Sequence, residues 1–265
     1  MSIVEANGLD IYYERTAKKE YKALFYIGGT ASDLRNRPNI LDSPLKENFE
    51  IIAYDQRGLG QTSQPEGKYT MQDYADDAAA LLDALGIEQI DVLGVSFGGM
   101  VAQELVLRHP HKVSRLILAC TSSGGQGGSS YPLHEMEALE GEEKVEKILQ
   151  LYDLKITPMW IKENNEAWKK IKKVALEKGM GKSYSPGIFK QLMARKSHNT
   201  FDRLKEIKKP VFLAGGQFDG LCPLKNMETL QKNILDSELK FYQGGHIFLA
   251  EDPDAFKDIS HWLLK

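Results

Sequence analysis

The stretch Ile90-Asp91-Val92-Leu93-Gly94-Val95-Ser96-Phe97-Gly98-Gly99-Met100 decides the fold. Its apolar, β-branched first half reads as a buried strand that stops at a serine held between glycines. From Gly99 to His109 the apolar residues Met100, Val101, Leu105 and Val106 recur at helical spacing. Strand, sharp glycine turn and helix make the geometry of a nucleophile elbow. There the serine takes a strained backbone position, and Gly94 and Gly98 let neighbouring chain pass close by. The bare G-x-S-x-G pattern arises by chance about 0.1 times in a chain of this length. Its placement between strand and helix is what gives it weight.

Upstream, Ile3–Arg15 reads as a hairpin around the Asn7-Gly8 turn. Ala23–Ile27 is a strand emptying into the small-residue loop Gly28-Gly29-Thr30-Ala31-Ser32-Asp33, where backbone N–H groups can approach a ligand. Phe49–Tyr54 is a strand followed by the tight polar loop Asp55–Ser63. Thr70 caps an amphipathic helix that Gly86 closes. Val113–Cys120 is a further strand. This alternation predicts a mainly parallel sheet with helices on both faces.

Between Gly124 and about Lys209 the strand signal vanishes. Three helical patterns replace it: Met136–Tyr152, with an interruption at Gly141; Trp160–Ala175; and Ile188–Met193 after Pro186. The expected organisation is an α/β core over residues 1–123 and 210–265 with an inserted helical cap over 124–209. Most cap aromatics are expected to pack, with a minority lining a substrate pocket. The α/β pattern resumes with strands Val211–Ala214 and Leu239–Tyr242 and a closing helix Pro253–Leu264.

Composition excludes several classes. A hydrophobic fraction of 42% and a charged fraction of 27% are ordinary for a globular protein. The net charge of −3 gives no electrostatic case for nucleic acid or an anionic membrane. No window approaches ~18 uninterrupted apolar residues, and the start Met1-Ser2-Ile3-Val4-Glu5 lacks a secretory pattern. Cys120 and Cys222 are too few for a disulfide framework or a metal site by themselves. A cytoplasmic protein acting on a small molecule is expected, without metal or organic cofactor.

In a parallel sheet the loops beyond the strand C-termini share one edge. Ser96, Asp219 and His246 each follow a strand, so all three belong to that edge. A serine hydroxyl needs an adjacent base, histidine titrates near the working pH, and the histidine needs an anionic partner. Elimination sharpens the set. His109 and His111 flank Pro110 at a helix end, His134 and His198 lie in or beside the cap, and His261 lies in the last helix. The other place for the acid, the loop Thr121-Ser122-Ser123, holds no carboxylate. Two donors are also needed for an oxyanion. The expected pair is the Phe97 N–H and the Thr30 N–H, with Gly29 N–H as the alternative to Thr30.

The motifs Gly94–Gly99, Asp55–Ser63, Gly216-Gln217-Phe218-Asp219 and Gly244-Gly245-His246 resemble those of capped serine hydrolases of the α/β-hydrolase superfamily, and the likeness covers almost the whole chain outside the cap. That superfamily includes esterases, lactonases, C–C bond hydrolases and cofactor-free peroxidases. The resemblance implies the α/β-hydrolase fold and, on Ser96, Asp219 and His246, hydrolysis of a small carboxylic ester or lactone. The alternatives are a C–C bond hydrolase or peroxidase on the same residues, or a small-molecule-binding protein that kept the fold. Gly28-Gly29 stands where members usually carry a His-Gly pair, which removes a side chain that often braces the loop. His198–Leu204 is similar to a segment that some esterase and enol-lactonase relatives carry where cap rejoins core.

Overall fold

The computed structural model describes residues 2–17 and 20–265. Met1, the first residue of the stretch read for a leader, lies outside them. The strands are β1 (Ser2–Ala6), β2 (Leu9–Arg15), β3 (Lys22–Ile27), β4 (Phe49–Tyr54), β5 (Ile90–Val95), β6 (Val113–Ala119), β7 (Val211–Gly216) and β8 (Ser237–Tyr242). They form one sheet in the order β1-β2-β4-β3-β5-β6-β7-β8. From β4 to β8 every pairing is parallel, while β1 and β2 attach antiparallel at the β4 edge. Strand order departs in opposite directions from β3, toward β4 on one side and β5 on the other. In open α/β sheets the crevice beyond such a switch point is where ligands bind.

The helices are α1 (Met71–Ala84), α2 (Phe97–Arg108), α3 (Gly141–Tyr152), α4 (Pro158–Glu163), α5 (Asn165–Glu177), α6 (Pro186–Lys196), α7 (Leu224–Asn233), α8 (Phe248–Glu251) and α9 (Pro253–Leu264). Successive strand residues alternate between two cores, as a period of two requires. Val92, Leu116 and Leu118 pack with α1, α2 and α7, whereas Leu93, Ile117 and Phe212 pack with α9. Helix α1 starts where the sequence places it: Thr70 Oγ1 accepts the Asp73 N–H and the Asp73 carboxylate accepts the Thr70 N–H.

Helices α3 to α6 all lie between β6 and β7. The Met136–Tyr152 pattern is broken as anticipated, into a 3-10 turn at Leu133–Ala138 and α3 beginning at Gly141. The Trp160–Ala175 pattern divides at Asn164 into α4 and α5. Trp168 is buried with Val145, Leu149 and Ala175, and Trp160 packs against the same cluster. A second cluster joins Leu133, Met136, Ile148 and Leu192 to Leu221 of the core. Helix α7 escaped the sequence reading, because its buried apolar residues are only Met227 and Leu230.

The approach of α2 to the sheet fixes one residue type. A Cβ on Gly98 would lie 2.0 Å from the Ile27 carbonyl oxygen and 2.5 Å from that of Gly28. Both obstacles are backbone, so neither can rotate away. Gly98→Ala is expected to destabilise the protein by about 3 kcal/mol or more, the upper range for overpacking. A urea midpoint unchanged from wild type would show that the two segments can part without cost.

Candidate active site

Ser96 lies between β5 and α2 with φ 55° and ψ −115°, a conformation costly for a residue with a Cβ. The backbone is held on both sides of that turn. The Ser96 N–H donates to the Ala119 carbonyl of β6 at 2.8 Å. The Ser96 carbonyl accepts from Gly99 N–H, Met100 N–H and Thr121 Oγ1. Strain at one residue is thus maintained by hydrogen bonds to its neighbours.

Asp219 lies in the loop after β7 and is buried. Its Oδ1 accepts the N–H groups of Leu221 and Cys222, each at 2.8 Å. Its Oδ2 lies 2.7 Å from His246 Nδ1. His246 lies in the loop after β8, and its Nε2 is 2.9 Å from Ser96 Oγ. A carboxylate only accepts, so Nδ1 of the neutral ring carries the proton and Nε2 presents a lone pair to the serine hydroxyl. The His246 N–H donates to the Tyr152 carbonyl at the end of α3, and the two rings lie 5.7 Å apart. That contact requires Gly245, where a Cβ would fall 1.8 Å from the Tyr152 carbonyl oxygen.

Among the described residues the other histidines are elsewhere. His109 pairs with Asp76 at the end of α2. His198 is buried with Nε2 3.1 Å from the Ser122 carbonyl, and burial pushes its pKa down to about 4. His134 is half-buried, and burial lowers its pKa too. His111 and His261 are exposed.

Phe97 opens α2, where backbone N–H groups lack an intrahelical acceptor. The loop after β3 passes close to Ser96: a Cβ on Gly29 would lie 3.5 Å from Ser96 Cβ. Thr30 follows in that loop, and its Oγ1 is enclosed without a hydrogen-bond partner. The loop is tied from two directions. Gln56 Nε2 donates to the Gly28 carbonyl at 2.9 Å, and the Ala31 N–H donates to Gln191 Oε1 of α6 at 2.9 Å. The sequence reading places neither Gln191 nor Tyr152 at the site, and Tyr152 enters it only as the end of the Met136–Tyr152 helical pattern. Each reaches the site from a helix distant in the chain, and a buried glutamine has no local sequence signal.

One group of three side chains, Cys120, Asp219 and His246, has donor atoms within 4.8 Å of one another. Its donors are already committed. Asp219 and His246 bond to each other, and burial followed by the Asp219 charge holds the Cys120 thiol well above its ordinary pKa, so it stays protonated. This is hydrogen-bonding geometry with little to offer a metal ion.

Residues 22–253 match the family model described as alpha/beta hydrolase fold. The chain belongs to that family. It is 28% identical over 247 residues to the poly(3-hydroxyalkanoate) depolymerase of Ectopseudomonas oleovorans, covering 92% of this chain and 85% of that one. It is 27% identical over 221 residues to the 3-oxoadipate enol-lactonase 2 of Acinetobacter baylyi, covering 83% and 80%. A shorter match, 43% over 84 residues, joins it to the 2-hydroxymuconate semialdehyde hydrolase of Pseudomonas putida, covering 31% of this chain and 28% of that one. These relatives are hydrolases. Among solved structures, the enol-lactonase from Burkholderia xenovorans superposes with a TM-score of 0.80 at 21% identity over 100% of both chains, which shows the shared fold. No helix among the described residues is long and apolar enough to cross a membrane.

The strain at Ser96 has a measurable signature. Ser96→Gly and Ser96→Ala both remove the hydroxyl, but only glycine relaxes the positive-φ backbone. Ser96→Gly is expected to be more stable than Ser96→Ala by about 1 kcal/mol in denaturant unfolding. Equal stability would mean that the turn carries no strain.

Proposed function

We propose that this protein is a serine hydrolase that cleaves a small carboxylic ester or lactone through an acyl-enzyme on Ser96. The observation that carries this reading is the pair of hydrogen bonds linking Ser96 Oγ to His246 Nε2 at 2.9 Å and His246 Nδ1 to Asp219 Oδ2 at 2.7 Å. Nε2 takes the serine proton as Oγ attacks the substrate carbonyl. Asp219 keeps the ring in the required tautomer and stabilises the imidazolium. The Phe97 and Thr30 N–H groups receive the oxyanion of the tetrahedral intermediate. His246 then protonates the leaving alkoxide. Water, deprotonated by the same Nε2, attacks the acyl-enzyme, and collapse of the second intermediate releases the carboxylic acid and restores Ser96.

Residues 124–209 serve in this reading as a cap over a core formed by 1–123 and 210–265. Support comes from Tyr152 and Gln191, which carry α3 and α6 to His246 and to the loop after β3. A cap so placed excludes bulk water from the reacting atoms. We also infer a reducing, cytoplasmic setting from the two free, buried thiols.

A second reading, a C–C bond hydrolase on the same residues, draws on the 43% identity over 84 residues to a semialdehyde hydrolase. Assays of purified protein against esters, lactones and diketones separate the two by which class turns over. For the ester reading, Ser96→Ala is expected to lower kcat on 4-nitrophenyl butyrate by on the order of 10⁶ and Asp219→Asn by on the order of 10⁴. Mass spectrometry of quenched wild-type enzyme should show an acyl adduct on the peptide containing Ser96. Full activity in Ser96→Ala would overturn the mechanism.

A further inference from the structure

Helix α6 carries Gln191 and Arg195 four residues apart, hence on one face with Cβ atoms about 5–6 Å apart. Gln191 touches the loop after β3 through the Ala31 N–H. Arg195 is only 9% exposed, yet its side chain makes no hydrogen bond or ion pair with any described residue, and its Nε is fully enclosed. A guanidinium keeps its charge even when burial lowers its pKa, as it does here. A buried charge without a counter-ion is strongly unfavourable unless something supplies one. Asp219 is near enough to act on Arg195 electrostatically, but its oxygens are engaged by Leu221, Cys222 and His246.

Arg195 lines a cavity of about 200 Å³. Lys196 is part of the same lining, and no aspartate or glutamate is. His198 also lines it, 5% exposed and holding an enclosed Nδ1 without a partner. Its Nε2 is within hydrogen-bond distance of the Ser122 carbonyl and so donates, which makes Nδ1 an acceptor. The cavity wall includes Met100 and Ser122. Met100 N–H donates to the Ser96 carbonyl, and Thr121, next to Ser122, does so through Oγ1. The cavity therefore adjoins the elements that hold the serine.

We propose that this cavity is an anion subsite in which Arg195 binds a carboxylate carried by the substrate, so that the enzyme acts on small esters or lactones bearing a free acid group. The proposal rests on the hydrolase reading above. The acceptor at His198 Nδ1 suits a hydroxyl neighbouring that carboxylate, while the guanidinium suits the carboxylate itself. The small volume favours a short acid over a long acyl chain.

The test uses matched charged and neutral esters with the acid on either side of the scissile bond: 4-nitrophenyl hemiglutarate against 4-nitrophenyl valerate, and 4-acetoxybenzoate against its methyl ester. In wild type, the charged member of at least one pair should have a kcat/KM tenfold or more above the neutral one. In Arg195→Gln that ratio should fall to about one, and Arg195→Lys should retain part of it. Binding is measured independently of turnover in the Ser96→Ala background, where glutarate should raise the melting temperature and should fail to do so once Arg195→Gln is added. Folding of the variants is read in the same melts without ligand, where Arg195→Met should match or exceed wild type because it removes an unpaired buried charge. Hydrolysis without charge preference, or a preference that survives Arg195→Gln, overturns the subsite and leaves the hydrolase reading standing. No turnover of any ester, with Arg195-dependent stabilisation by glutarate, overturns the hydrolase reading and leaves the subsite.

Discussion

The close crossing of α2 over the ends of β3 and β5 is the constraint on which the rest depends. With Gly98 packed against the Ile27 and Gly28 carbonyls, the chain must reverse within one residue after β5, and Ser96 is that residue. Its positive φ is the geometric result. The turn lifts the hydroxyl above the sheet edge, at the switch point where the loops after β3 and β5 diverge. The same approach leaves room for no more than a Cβ between Gly29 and Ser96, so the packing that places the serine also places the loop facing it.

Support for that crossing reaches well beyond the site. Phe97, the first residue of α2, is fully buried edge-on against Tyr74 of α1, with ring centroids 4.9 Å apart. Arg57 lies over the Tyr69 and Tyr74 rings and forms a buried two-point ion pair with Asp77, to which Asn7 of the first hairpin also donates. Removing either partner of such a pair leaves a buried charge uncompensated, at a typical cost of about 3–5 kcal/mol. The Asp55–Ser63 loop is thus a structural brace. Its aspartate accepts the Leu34 and Gln61 N–H groups, and its glutamine holds the Gly28 carbonyl. Arg195 stands in contrast as a buried charge with no such partner. Folding gains nothing evident from it, which is the pattern of a group kept for a ligand at some expense of stability.

Much of this was legible in the chain because its signals are local. A strand, a glycine-flanked serine and a helix are contiguous, as are the Asn7-Gly8 turn, the Thr70–Asp73 cap and the break at Gly141. The residues Ser96, Asp219 and His246 could be grouped before any coordinates, since parallel strands deliver their following loops to one edge. Elimination among six histidines did the rest. Helix α7 was not legible, because its apolar face is reduced to two residues and the core supplies the remaining contacts.

The sequence by itself determined the order of the strands and the grouping of Ser96, Asp219 and His246 at one sheet edge, because each rests on short-range spacing and on the geometry every parallel sheet shares. Only the tertiary structure decided that the hydroxyl, imidazole and carboxylate lie at 2.9 and 2.7 Å, that Tyr152 and Gln191 accept hydrogen bonds from His246 and from the loop after β3, and that Arg195 is buried without a partner. The reason is physical. Burial and pairing of a charge depend on what the rest of the chain packs around it, and an arginine near the end of a helix carries no mark of that in its neighbours along the sequence.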